Sequence, residues 1–351
     1  TEIGSYAFYA CGTLEGVTFG FDGTGNLSVG DYTFAKAQYL YEITFPSNLA
    51  RLGKGVFDGD TRLKYVNFSQ TAKVGIELEL PDYAFVGMRE MEEITLPSYV
   101  TRIGEGAFVD TSLRKIEFSG DENSPSLTIG KRAFAYLATL TSVDLPANLV
   151  EIEEEAFFSS NVATVNYGEG KKDGSGAEIG LALGARAFSE TKINEFIATA
   201  RITAIEESCF ENCPYLSKAD IGENVKELGD RAFYGDAELN DVSFAEITEN
   251  GAVYNAISVI GRESFFGTGI TEFNVTVADG LVVKQDAFAF AALQTVSITS
   301  VGNVVAENGA FGGNSSLRTV AVLSTENLTV GEKVFFSTGA MTRLSLKANV
   351  I

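Results

Sequence analysis

The sequence IGKRAFAYLATLTSVDL, residues 129–145, holds two short motifs that recur along the whole chain. The first motif, IGKRAF at 129–134, returns as IGSYAF at 3–8, IGEGAF at 103–108 and LGDRAF at 228–233. Copies are mostly 22 to 26 residues apart, with intervals of 28, 31 and 32 residues where a loop is inserted. This regular recurrence predicts a repeat protein. The phenylalanine that ends the motif occurs fourteen times, as Phe8, Phe34, Phe57, Phe85, Phe108, Phe134, Phe157, Phe188, Phe210, Phe233, Phe265, Phe288, Phe311 and Phe335.

The second motif follows each phenylalanine by five or six residues and has the form apolar-x-x-apolar-x-apolar, as in Leu140-Val143-Leu145. Its last two apolar residues alternate with polar ones, which predicts a short, half-buried strand. In the first motif, inward residues at i, i+1 and i+4 predict a helical turn or two. A third apolar pair, such as Leu49 and Leu52, predicts a second short strand.

One repeat of this kind cannot bury its own apolar face, whereas stacked repeats can. We therefore predict a single, strand-dominated α/β repeat solenoid over residues 1–351, with about fourteen repeats of about 23 residues and a continuous parallel sheet. All fourteen phenylalanines should be buried. The predicted strand centres are Val17, Ile43, Val66, Ile94, Ile116, Val143, Val165, Phe196, Ala219, Val242, Phe273, Val296, Val320 and Leu344.

The repeats resemble the BspA-type leucine-rich repeats of bacterial surface proteins. Ile205–Leu216 (IEESCFENCPYL) and Leu140–Leu149 (LTSVDLPANL) carry the resemblance most closely, and it covers essentially the whole chain. It implies a curved, horseshoe-like, right-handed leucine-rich-repeat solenoid on a secreted or surface protein. Such proteins often act as adhesins in host-associated bacteria, although similar repeats occur in some protozoan parasites. Both ends lie inside a repeat, so we expect a fragment of a longer protein.

Composition excludes several classes of function. The net charge of −21 opposes binding to nucleic acid or anionic membranes, and no apolar run approaches the roughly 20 residues that span a bilayer. The chain has no His, which removes the usual general base and metal ligand, so neither an enzyme nor a cofactor is predicted. Residues 22–26 (DGTGN) are similar to the start of a calcium loop but lack the later Glu. Cys11, Cys209 and Cys213 are predicted to be buried apolar filler.

Two patches of outward residues on the second motif are candidates for binding a protein partner. The first patch is Tyr65, Glu93, Lys115, Glu117 and Asp144, an aromatic residue beside mixed charges. The second patch is Glu195, Ile197, Lys218, Asp220 and Asp241, which is acidic around one exposed Ile. Charge ladders that only keep the sheet solvated are the plainer interpretation of both patches.

Extra residues also follow the strands of repeats 1, 3, 5, 7 and 10, all at the same point of the repeat. They should emerge on one edge of the solenoid, where loops on a rigid scaffold commonly bind ligands, although tolerated surface loops would look the same. The inserted segments are residues 20–26, 69–75, 119–126, 168–180 and 245–256.

These features favour a non-catalytic extracellular adhesion module that binds a host or microbial surface protein through the sheet face or the inserted segments. The alternative is a structural spacer that displays other domains at a cell surface. Carbohydrate binding is disfavoured, because the chain has no Trp and few aromatic residues occupy the outward rows.

Overall fold

The computed structural model describes residues 1–19, 25–70, 75–249 and 251–348, in two compact units, Thr1–Leu181 and Ala182–Ile351. Some predicted features fall partly outside the described residues. These are the calcium-like segment at 22–24, the inserted segments at 20–24, 71–74 and 250, and the chain end at 349–351.

The first unit is built from short strands joined by turns. Its strands are β1 (Glu2–Ile3), β2 (Gly16–Thr18), β3 (Leu27–Val29), β4 (Glu42–Phe45), β5 (Leu49–Leu52), β6 (Tyr65–Phe68), β7 (Leu78–Leu80), β8 (Glu93–Leu96), β9 (Val100–Ile103), β10 (Lys115–Phe118), β11 (Leu127–Ile129), β12 (Ser142–Asp144), β13 (Leu149–Ile152) and β14 (Thr164–Asn166).

The second unit has the same construction, with one added hairpin. Its strands are β15 (Leu181–Leu183), β16 (Glu195–Ile197), β17 (Ile202–Ile205), β18 (Lys218–Ile221), β19 (Asp241–Phe244), β20 (Glu246–Glu249), β21 (Ala252–Asn255), β22 (Val259–Ile260), β23 (Glu272–Val277), β24 (Gly280–Val283), β25 (Thr295–Ser300), β26 (Asn303–Ala306), β27 (Thr319–Ser324), β28 (Leu328–Val330) and β29 (Arg343–Lys347).

Every predicted strand centre lies within a strand, and the front strands of the repeats that pair do so in parallel, so the strand-dominated solenoid is confirmed. We call the strands of the second motif front strands and those of the third apolar pair back strands. The register follows the repeat, because Val17 pairs with Ile43 and Ile43 pairs with Val66. Apolar residues of a front strand face the core and alternate residues face solvent, as the period of two requires.

The predicted helical turn is absent, because the described residues contain no helix. Within the turn, the Ala133 N–H donates to the Gly130 carbonyl at 3.1 Å, an i to i−3 bond. Every second N–H instead leaves its own repeat, and the Phe134 N–H donates to the Ala156 carbonyl of the next repeat at 2.8 Å. A helix would keep all of these donors inside the turn, so hydrogen bonding between repeats prevents helix formation.

This pattern forces left-handed backbone at two fixed places in every repeat. The residues two before and two after each of the fourteen phenylalanines all have positive φ, as Arg132 (54°) and Tyr136 (62°) do around Phe134. Twenty of these residues are not glycine, although the left-handed region costs roughly 1–2 kcal/mol for an L-residue. Hydrogen bonds to the neighbouring repeat hold them there, since the Arg132 and Tyr136 N–H groups donate to the carbonyls of Glu154 and Phe158.

The glycine at the second position of the first motif is not required for a left-handed backbone, because its φ is not positive. A Cβ on Gly104 would lie 2.5 Å from backbone atoms of Pro81 and Asp82 in the preceding repeat. We predict that Gly104→Ala lowers the free energy of unfolding by about 1–3 kcal/mol, through overpacking against a rigid backbone. Gly4→Ala is the matched control in a denaturant titration, because nothing lies within 4 Å of a Cβ there. Equal losses for the two variants would contradict the packing explanation.

The repeated phenylalanines form a continuous ring stack inside each unit. In the first unit the Phe134 ring centroid lies 5.1 Å from that of Phe108 and 5.2 Å from that of Phe157. Twelve of the fourteen rings are buried, but Phe8 is 41% exposed and Phe335 is partly exposed, so the prediction for these two was wrong. Each of them belongs to a terminal repeat and has a neighbouring ring on one side only.

The cysteines, like the phenylalanines, are buried in the inner repeats and exposed in the outermost one. Cys209 and Cys213 are buried as predicted, whereas Cys11 is exposed. Cys11 belongs to the first repeat of the given chain, where the structure shows a packed repeat on one side.

The front sheet is interrupted, which corrects the prediction of a continuous sheet. In the first unit the front strands form three separate hydrogen-bonded groups, β2-β4-β6, β8-β10 and β12-β14. The breaks follow β6 and β10, the strands after which residues 69–75 and 119–126 are inserted. In the second unit the break follows β19, where the insertion forms the antiparallel β20–β21 hairpin. The insertion at 20–26 leaves the pairing intact, since β2 still pairs with β4.

Side chains of the following repeat satisfy carbonyls of the inserted segments. Asn48 Nδ2 donates to the Gly25 carbonyl at 2.7 Å, and Asn148 Nδ2 donates to the Pro125 carbonyl at 2.6 Å. The Tyr99 hydroxyl donates to the Ser69 carbonyl at 3.1 Å. In each case the donor stands two residues after a proline, so the Pro-x-Asn and Pro-x-Tyr sequences mark repeats that support an insertion.

Candidate functional site

The outward residues of the front strands form the predicted binding face. None of the candidate residues is buried, because they occupy the strand positions that point away from the core. The first patch lies entirely in the first unit and the second patch entirely in the second unit, so the two are described separately.

Tyr65 is the aromatic residue of the first patch and opens β6. It is 36% exposed, and its ring meets the ring of Tyr41 edge-on with centroids 5.2 Å apart. The Lys64 Nζ lies 5.5 Å from the Tyr65 ring centroid, a cation–π arrangement. The hydrogen bond with Tyr65 raises the pKa of Tyr41 above its ordinary value. Tyr65 is therefore held in place by neighbours while part of it remains accessible.

A cleft opens beside Tyr65 at the interruption between β6 and β8. Its volume is about 360 Å³, and both walls come from front strands that are not hydrogen-bonded to each other. The break in the sheet is the reason for the cleft, because paired strands would leave no gap. Its polar and aromatic lining comprises Tyr65, Asn67, Gln70, Glu93, Thr95, Lys115 and Glu117.

Most polar groups of the cleft are already engaged with one another. Lys115 forms an ion pair with Glu117, which also accepts a hydrogen bond from Thr95 Oγ1 at 3.1 Å. The hydrogen bond from Lys115 lowers the pKa of Glu117 and raises that of Lys115. Gln70 Oε1 accepts a hydrogen bond from the Ser119 hydroxyl at 2.7 Å. The Glu93 side chain makes no hydrogen bond or ion pair with any described residue.

The structure thus brings together Tyr65, Glu93, Lys115 and Glu117, four of the five residues of the first predicted patch. Asp144 is exposed on β12 and does not line the cleft, since the front sheet is interrupted again between β10 and β12.

The second patch has the same charge pattern without a tyrosine. Glu195 pairs with Lys218, and Ile197 pairs with Asp220, on neighbouring strands β16 and β18. Lys218 Nζ lies 3.0 Å from the Asp220 carboxylate, which also accepts a hydrogen bond from Ser243. Asp241 opens β19 and is exposed, as is the Ile197 side chain. The patch is a charged ladder around one apolar residue.

Comparison with known protein families identifies the repeat. The family model for the BspA-type leucine-rich repeat region, which spans six copies of the repeat, matches residues 1–124, 77–173, 181–278 and 249–351. The chain belongs to the BspA-type leucine-rich repeat family. No curated protein is significantly similar to it. Among the described residues, no helix has the length and apolar character needed to cross a membrane.

Several solved structures are similar to this BspA-type chain. A leucine-rich repeat protein from Bacteroides ovatus is 19% identical, with a TM-score of 0.46, over 95% of this chain and 75% of that one. A leucine-rich cell surface protein from Faecalibacterium prausnitzii is 18% identical, with a TM-score of 0.44, over 98% and 82%. The pneumococcal vaccine antigen PcpA is 19% identical, with a TM-score of 0.45, over 92% and 74%.

The sequence analysis missed a group of exposed aromatic residues next to the cleft. Tyr39 and Tyr41 precede β4 and are both exposed, and the Arg62 guanidinium lies 5.1 Å from the Tyr39 ring centroid. With Glu15 and Glu42 they line a second, open cavity of about 400 Å³. They stand just before β4, outside the alternating strand positions that predict the binding face. They flank Leu40, the first apolar residue of the second motif, so the signal in the sequence is a pair of tyrosines beside that position.

Two inserted segments of this BspA-type protein are ordered by their own contacts. In segment 168–180, Asp173 accepts hydrogen bonds from Ser175 and Ala177, and these bonds lower its pKa. Lys171 Nζ donates to the Ser124 carbonyl at 2.8 Å, which joins this segment to the neighbouring insertion at 119–126. In the second unit, Asn255 links the β21 strand to Phe244 and Thr276 by hydrogen bonds.

Proposed function

We propose that this chain is a non-catalytic, extracellular interaction module that binds a host or microbial surface protein. The contact is centred on Tyr65 and the cleft beside it, on the front face of the first unit. The observation that carries the proposal is an accessible tyrosine, fixed by Tyr41 and Lys64, at the rim of a polar cleft. Energetically dominant residues of protein interfaces are most often Tyr, Trp or Arg set among contacts that exclude water.

A protein partner fits this face better than a carbohydrate does. The chain has no Trp for a sugar to stack on, and few aromatic residues occupy the outward positions of the front strands. Lys64 and Arg62 each lie over one face of the Tyr65 and Tyr39 rings, which leaves one face of each ring for a partner. Tyrosine and arginine are instead enriched in protein interfaces, where charged groups lie mainly at the solvated rim. The net charge of −21 would speed association with a basic partner.

The test is capture of partners from host matrix and cell-surface extracts, followed by affinity measurements on the purified partner. We predict that Tyr65→Ala weakens binding by more than about 1 kcal/mol, because the truncation removes an anchored aromatic side chain. Ser297→Ala is the matched control, since Ser297 is also exposed on the front strand β25, but its paired neighbours Asn274 and Ala321 carry neither a charge nor an aromatic ring. The Ser297→Ala variant should bind the partner with the same affinity as the wild type.

Two outcomes would redirect the proposal. If a partner is captured and Tyr65→Ala binds it with unchanged affinity, the inserted segments become the better candidate for the contact. If no host or microbial protein binds, the chain is better explained as a structural spacer that holds other domains away from a cell surface. Both alternatives keep the same repeat architecture and differ only in what the surface contacts.

A further inference from the structure

We infer that the cleft between β6 and β8 receives an arginine side chain of the protein partner. This inference rests on the proposed function, because it names the chemistry of the group that the same face would bind. The cleft is small, about 360 Å³, which is at the lower end of the roughly 300–1,000 Å³ range of ligand pockets. It suits one side chain and is too small for a folded segment.

The charge of the cleft favours a cation. Lys115 forms its ion pair with Glu117, while the nearby Glu93 carboxylate attracts Lys115 only at longer range and forms no hydrogen bond or ion pair with a described residue, so two carboxylates face one ammonium group. The unbalanced charge is therefore negative. A carboxylate ligand would be repelled by Glu93, and an apolar side chain would bury the polar lining without replacing its contacts with water.

The remaining lining favours arginine over lysine. Tyr65 is part of the lining, and a guanidinium can lie against the ring face that Lys64 leaves open while it donates to a carboxylate such as Glu93 in a fork geometry. Asn67 Nδ2 donates to Glu42 Oε1 at 3.2 Å, which leaves its Oδ1 as a further acceptor in the lining. An ammonium group would use the acceptors but gain less from the flat ring.

The second patch provides an internal comparison. Glu195 and Lys218 repeat the pairing of Glu93 and Lys115 on neighbouring front strands, and each Lys is bridged to an acid two residues later. At the strand position of Tyr65, however, the second patch has no tyrosine. Any effect of simple charge should appear at both glutamates, whereas an effect of the cleft should appear only at Glu93.

The test is titration of the whole chain with acetyl-Gly-Arg-Gly-amide, followed by NMR of the Asn67 and Gln70 side-chain amides. We expect localised shifts with this peptide and none with acetyl-Gly-Gln-Gly-amide. Glu93→Gln should raise the dissociation constant by about fivefold or more, while Glu195→Gln leaves it unchanged. Circular dichroism melts of the two variants check that both remain folded.

The outcomes separate this inference from the proposed function. The arginine site would be overturned if the arginine peptide caused no shifts, or shifts spread over the whole protein. It would also be overturned if Glu93→Gln and Glu195→Gln weakened binding of the peptide equally. The proposed function would still stand if a captured protein loses affinity on Tyr65→Ala. Conversely, if the arginine peptide binds in the cleft but no partner protein is captured, the site survives and the proposed function fails.

Discussion

Phe134→Ala is expected to lower the free energy of unfolding by about 3–5 kcal/mol, which is the usual cost of truncating a fully buried aromatic side chain. Phe134 is 0% exposed and stacks between Phe108 and Phe157. Removing its ring opens a cavity in the middle of the first unit, and the rings on both sides lose a contact. Surrounding turns cannot close the gap, because hydrogen bonds to both neighbouring repeats fix their backbone.

Phe335→Ala is the matched control for this prediction. Phe335 occupies the same position of the last repeat, but it is partly exposed and stacks only on Phe311, at 5.7 Å. Its loss should cost less, because a terminal repeat can open without the rest of the solenoid. Urea titrations followed by circular dichroism measure both variants. Equal losses would contradict the picture in which stability is a sum of repeats and their interfaces.

The second large effect concerns two carboxyl groups that the fold buries. The residue three positions after most of the phenylalanines points into the core, and there it commonly donates a hydrogen bond to the carbonyl of that phenylalanine. Thr111 does so at 2.9 Å and Asn314 at 2.9 Å. Asp60 and Asp236 occupy the same position and are 2% and 0% exposed. A carboxylate cannot donate, whereas a protonated carboxyl group can, so the site favours the protonated form.

Burial raises the pKa of both groups. Desolvation raises that of Asp60 to about 8, with a further contribution from the nearby Asp58 carboxylate. The Ala37 amide opposes the shift, although neither Asp60 oxygen makes a well-formed hydrogen bond with a described residue. Desolvation also raises the pKa of Asp236 far above its ordinary value, even though its Oδ1 accepts a hydrogen bond from the Cys213 N–H at 2.7 Å.

The sign of the pH dependence follows from these shifts. In the unfolded chain an Asp has a pKa of about 3.9. The folded state binds the Asp60 proton more tightly, so this contribution to stability is fully present below about pH 4 and is lost as the pH rises to about 8. The full shift corresponds to roughly 5 kcal/mol at pH 8, and local relaxation of the site reduces the part that is measured.

We therefore predict that Asp60→Asn raises the free energy of unfolding at pH 8 by about 2–4 kcal/mol and has little effect near pH 4. Asn is accommodated at this position, as Asn314 demonstrates. Asp58→Asn removes the same charge from an exposed site in the same turn and is the control for general charge repulsion. Urea titrations at a series of pH values measure both variants. If Asp58→Asn stabilises the protein as much as Asp60→Asn does, the explanation by burial is wrong.

The repeat sequence was sufficient to predict the strands, the stacked phenylalanines and the outward rows. Each repeat packs mainly against its immediate neighbours, so a period in the sequence becomes a period in space. Residues such as Ile43 and Val66 therefore meet without any knowledge of distant contacts. The alternation within a strand then decides which side chains face solvent, as it does for Tyr65 and Asn67. The repeat period and the alternation within each strand are therefore sufficient to predict which residues pair and which face solvent.

What the tertiary structure alone decided is how neighbouring repeats share their backbone hydrogen bonds. The spacing around Phe134 suits a helical turn, but its N–H groups donate to the next repeat, and the residues on either side become left-handed. The cleft beside Tyr65 has the same kind of origin, since residues inserted after β6 leave β6 and β8 unpaired. Both features depend on whether two adjacent backbones fit together, and a residue pattern within one repeat does not contain that information.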